Sequence, residues 1–120
     1  MIEITNKESL REFLRRKYGL LFLHSPWSRY CRESKELVEN IETHFQASQQ
    51  DVHFYFGVFE EDLVYLAAEV CALGVPDISF KGDGCLAFFK EGKYIGQIRS
   101  VIAEGDGLVF KKISEFYEQV

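Results

Sequence analysis

The stretch 24-HSPWSRYC-31 decides how this chain is read: a Pro-Trp pair, a serine, two further residues and a cysteine. Just before it, 20-LLFLH-24 is a continuous apolar run bounded by Gly19 and Pro26, suited to a central strand buried on both faces. Just after it, Cys31, Ser34, Val38, Ile41 and Phe45 recur at three- and four-residue intervals. Arg32, Glu33, Lys35, Glu36 and Glu39 lie mostly on other faces, so the spacing predicts a long amphipathic helix with Cys31 on its inward stripe. A buried strand thus delivers Ser28 and Cys31, one helical turn apart, to the start of a helix.

The remaining elements follow outward from this pair. Residues 2-IEI-4 are a short strand, and Thr5 with Glu8 offers a capping box for a helix that shares Leu10, Phe13 and Leu14 on one face and stops at Gly19. Polar 47-ASQQD-51 ends the long helix before the β-branched and aromatic run 52-VHFYFGVF-59. A third helix is expected over 63–73, ending at Gly74, with Cys71 as core. Then 85-CLAFFK-90 and 94-YIGQIRSV-101 form an antiparallel hairpin turning at 91-EG-92, and 108-LVFKKISEFYEQV-120 places Val109, Ile113, Phe116 and Val120 on one helical stripe. The order is β-α-β-α-β-α-β-β-α, read as a single α/β domain over residues 1–120.

Composition excludes several functions. The chain has 19 acidic against 14 basic residues and a formal charge of -5, with no basic face broad enough to follow a phosphate backbone, so no nucleic-acid partner is expected. The N-terminus lacks the features of a signal peptide and no segment approaches a membrane span, so a cytoplasmic protein is expected. In such a reducing compartment the three cysteines stay thiols unless one pair is a working redox couple. His44 and His53 are isolated and the cysteines lack zinc-site spacing, so neither metal nor cofactor is expected.

The element order and 26-PWSRYC-31 together resemble thioredoxin, over nearly the whole chain. The segment 88-FFKEGKYIGQI-98 is similar to the terminal hairpin of that family, where an aromatic strand turns at Lys-x-Gly. The resemblance implies a thioredoxin fold, a central mixed sheet flanked by helices. It also implies thiol-disulfide exchange with protein or peptide partners.

Three departures bear on that activity. The family carries Cys-x-x-Cys, and here its first, attacking position is Ser28. A serine forms no mixed disulfide, so the ordinary two-thiol cycle is closed, and Cys31 matches the resolving thiol. Aligning the hairpin puts Gly84 where the family has a cis-proline, with Cys85 next to it. A competing register uses 74-GVP-76 and needs 77-DISF-80 as the fourth strand, leaving one strand too many, whereas the first makes 76-PDISFKGDG-84 a turn-rich loop. The family's buried acid also has no counterpart before His24.

On the preferred register Cys85 lies near Cys31 across the site, and two readings stay open: a relocated redox pair, or two small buried hydrophobes. Trp27 is either a contact for a partner peptide or a packing residue. His24 is placed to reach Ser28 as a base, but no acid in the segment orients it, which favours a packed histidine. Two functions survive. One is a divergent thiol-disulfide protein exchanging through Cys31, alone or with Cys85. The other is a thioredoxin-fold binding module keeping the groove around Trp27, Ser28 and Gly84 for a protein or peptide.

Overall fold

A computed structural model describes residues 1–47, 52–58 and 84–118. Their elements are β1 (Ile2–Ile4), α1 (Lys7–Leu14), β2 (Tyr18–His24), α2 (Arg29–Ala47), β3 (Val52–Val58), β4 (Cys85–Lys90), β5 (Lys93–Ile98), α3 (Val101–Glu104) and α4 (Asp106–Glu118). The helix expected over 63–73 with Cys71 and Gly74, the competing strand at 77–80, and the 76–84 loop up to Gly84 lie outside the described residues.

The strands form one sheet in the order β1-β3-β2-β4-β5. β1 and β2 run parallel to β3, and β4 runs antiparallel to both β2 and β5. The apolar run is indeed the central strand, and its alternation feeds two cores. Leu20 and Phe22 join Leu86 and Phe88 of β4 under Val38 and Ile41 of α2 and Val109 and Ile113 of α4. Leu21 joins Ala87 and Phe89 under Leu10 and Phe13 of α1. Fully burying a Leu or Phe side chain is worth about 1.5–3 kcal/mol, against roughly 0–1 kcal/mol for a surface ion pair, so these layers hold the sheet.

Local departures from the sequence reading have physical causes. The capping box at α1 sits one residue later than expected: Asn6 Oδ1 accepts from the Ser9 N–H at 2.8 Å, and Ser9 Oγ accepts from the Asn6 N–H at 3.1 Å. Helix α1 ends at Leu14, and Gly19 is a strand residue rather than a stop. A Cβ at Gly19 would lie 2.6 Å from the Phe13 ring, so glycine there lets that ring lie on the strand. Phe13 then packs edge-on against Tyr55 and Phe89, at centroid distances of 5.1 and 5.0 Å.

The hairpin turns at Glu91 and Gly92, both at positive φ, as a two-residue turn between twisted strands requires. Its second strand stops at Ile98 rather than running to residue 101. Val101 instead opens α3 with its side chain fully buried, and its N–H donates to the Gly84 carbonyl at 3.0 Å. The last helix begins at Asp106, after Gly105, which has φ 85°.

Candidate functional site

At the end of β2 the chain makes a turn from Ser25 to Ser28, closed by the Ser28 N–H donating to the Ser25 carbonyl at 3.0 Å. Pro26 takes the second position, where its fixed φ suits such a turn. Arg32 Nη1 donates to the Pro26 carbonyl at 2.8 Å and clasps the turn against the first turn of α2. The backbone thus directs Trp27 outward, where it is 59% exposed, and Tyr30 on the next turn is 66% exposed. Two large aromatics in water flank a buried serine.

Ser28 caps the helix. Its carbonyl accepts the Arg32 N–H at 3.0 Å and its Oγ accepts the Cys31 N–H at 3.3 Å. Serine is among the preferred residues at this position because its oxygen satisfies a donor that the helix cannot. Cys31 is 0% exposed, and its Sγ lies 3.8 Å from the Leu23 carbonyl, a weak S–H···O contact. The hydroxyl has a structural partner and the thiol has no path to solvent.

Gly84 approaches α2 on the same side. Its φ is 72°, and a Cβ there would lie 2.5 Å from Ser34 Oγ and 3.5 Å from the Tyr30 carbonyl oxygen. Ser34, fully buried, also accepts the Ile102 N–H at 3.1 Å. Gly84, Ser34, Val101 and Ile102 therefore tie the entry of β4 and the start of α3 to the second turn of α2. This arrangement goes with 85–90 as the strand beside β2.

The structure does not turn the two thiols toward each other. Cys85 alternates with Leu86, so its side chain leaves β4 on the face of Ala87 and Phe89, whereas α2 and Cys31 cover the face of Leu86 and Phe88. Cys85 Sγ lies 3.3 Å from Gln97 Oε1 on β5. It is half-buried, and after burial itself its charge is the second influence pushing the Tyr94 phenol up. Of the two readings left open for the pair, this placement favours two separate thiols, because strand alternation sends Cys85 to the face away from α2.

His24 is a packed histidine. It is 7% exposed, lies between the rings of Phe22 and Phe56 at centroid distances of 5.7 and 6.3 Å, and its Nδ1 has no hydrogen-bond partner among the described residues. Burial first, then the charges of Lys35 and Arg32, hold it below the ordinary histidine value of 6.5, with Glu39 opposing them. Among the described residues no hydrogen bond joins His24 Nδ1 to Ser28, whose Oγ accepts the Cys31 N–H. Sequence reasoning missed Tyr30, Ser34 and Arg32. Tyr30 was legible as a second aromatic within the motif, and Ser34 as a polar residue on an apolar stripe. The Arg32 clasp had no such signal.

Among the described residues no group of three or more His, Cys, Asp or Glu side chains could hold a metal, and no helix is long and apolar enough to cross a membrane. No protein-family model matches the chain, and no curated protein sequence matches it. Solved structures do. A mutant thioredoxin from Halobacterium salinarum superposes with a TM-score of 0.70 at 15% identity, covering 99% of this chain and 92% of that one. Thioredoxin from Trypanosoma brucei brucei gives 0.70 at 13%, covering 98% and 91%, and oxidized mitochondrial thioredoxin 3 from Saccharomyces cerevisiae gives 0.69 at 16%, covering 96% and 94%. The chain has the thioredoxin fold.

Proposed function

We propose that this is a divergent thioredoxin-like protein that has kept a polypeptide-docking edge at the motif and lost the two-thiol reductase cycle. An extended segment of a partner protein lies along Trp27, Tyr30 and the backbone around Ser28 and Gly84, with the exposed rings as anchors. The observation that carries this is the contrast within six residues: Trp27 and Tyr30 open to solvent, Ser28 used as a helix cap, and Cys31 sealed. The proposal includes the cytoplasmic, reducing setting that keeps Cys31 and Cys85 as thiols.

A second reading, thiol-disulfide exchange through Cys31, is favoured by its retained position one turn into α2. It requires the first turn of α2 to open, because a sulfur without solvent access attacks nothing. Exchange through Cys31 with Cys85 requires more, since Cys31 lies on the helix that covers one face of the sheet and the Cys85 side chain leaves β4 on the other.

Insulin reduction by dithiothreitol separates the readings. Wild type should not accelerate it, and Ser28→Cys, which places two sulfurs one turn apart beside the same aromatic edge, should. Turnover by wild type would establish exchange through the existing thiols. For docking, reduced and alkylated insulin B chain serves as an unfolded-polypeptide probe. It should shift the emission of Trp27, the sole tryptophan of the chain, in a saturable way. Calorimetric affinity should fall in Trp27→Ala. No binding to wild type would overturn the docking reading.

A further inference from the structure

A second concave surface lies on the flank of α2, where it meets α3 and α4. It is an open groove of about 730 Å³ whose apolar lining comes from Leu37 and Ile41 of α2, Ile102 of α3 and Phe110 of α4. Phe110 is 38% exposed although its ring packs on Phe45 at 5.1 Å, so it presents an anchored aromatic surface to the groove. Glu33 and Glu36 stand on the α2 wall, and no lysine or arginine is among the described residues lining it. The volume lies in the range of ordinary ligand-binding clefts, about 300–1,000 Å³.

We propose that this groove docks a segment of a partner protein carrying apolar anchor side chains next to lysine or arginine. Charge complementarity chooses the occupant. Glu36 is exposed, and Glu33 is only partly offset by Arg29 at 2.9 Å, a pair on the helix surface. An apolar floor with a carboxylate wall repels acidic segments and desolvates poorly against neutral polar ones, while a basic amphipathic segment satisfies both. A second copy of this chain fits less well, because its net charge of -5 opposes self-association. The groove is separate from the aromatic edge at Trp27 and Tyr30 and does not depend on what binds there.

The test is selection of a phage-displayed random dodecapeptide library on the intact protein. Enriched clones should share an apolar pair flanked by Lys or Arg and should lack Asp and Glu. A synthetic peptide of the consensus should bind wild type and lose about tenfold or more in affinity on either Phe110→Ala or Glu36→Lys, both exposed positions whose folding is checked by circular dichroism. Its amide shift changes should fall in residues 33–44 and 102–110 and spare 27–30. No enrichment, an acidic consensus, or affinity unchanged in both variants overturns the proposal. So does concentration-dependent dimerisation abolished by Phe110→Ala, which would make the occupant a second copy.

Discussion

Cys31 on α2 and Cys85 on β4 lie on opposite sides of the sheet, and their surroundings differ in kind. Cys31 sits in the first turn of α2, with no exposure and its sulfur 3.8 Å from the Leu23 carbonyl. Cys85 is half-buried on the other face, beside Gln97 and Tyr94. Of these two thiols, the one in the motif position is the inert one by access, and a reagent meets Cys85 before it. Reactivity at such a site follows exposure and local charge rather than position in a motif.

The comparison depends first on Gly84, where β4 passes against α2 before its side chains alternate away. Gly84→Val puts a β-branched residue at φ 72° and a Cβ 2.5 Å from Ser34 Oγ. It should destabilise the protein by about 3 kcal/mol, from backbone strain and displacement of the buried serine. Urea unfolding checks this. A loss within about 1 kcal/mol would mean that β4 is not held against α2 and that Cys85 has freedom to turn.

A smaller effect is expected at the cap. Ser28→Ala should cost about 1 kcal/mol, and Ser28→Asp should retain most of the stability, since either oxygen can accept the Cys31 N–H. Equal midpoints for wild type and Ser28→Ala would show that the hydroxyl is not committed to the helix and would reopen other roles for it.

The smallest effect is the pH response of His24. Its folded value lies below 6.5, so as pH falls through 6.5 the unfolded chain takes up a proton that the folded chain refuses. Stability should therefore be full above that pH and decline below it until the lowered folded value is reached. In His24→Leu this part of the acid decline should vanish. An unchanged profile would assign the decline to carboxylates.

Much of the fold was legible because the signals were periodic. The 20–24 run, the stripe from Cys31 to Phe45 and the Glu-Gly turn at 91–92 each name an element through spacing or backbone demand. Boundaries set by single contacts were not legible. Gly19 reads as a helix stop until Phe13 is seen across it, and Val101 reads as strand until its N–H is found on Gly84. At the candidate site, Trp27, Ser28, Cys31 and Gly84 were legible as candidates by pattern. The orientation of Cys85 was not, because facing a neighbour depends on strand phase as well as distance, and phase follows from the register of β4 against β2.

The most direct measurement is alkylation of the native protein by iodoacetamide, followed residue by residue by peptide mass spectrometry. Cys85 should be modified at least about tenfold faster than Cys31, whose labelling should wait on opening of the first turn of α2 and accelerate in denaturant. Rapid native labelling of Cys31, or its recovery in a disulfide with Cys85 after mild oxidation, would contradict the sealed thiol on which this account rests.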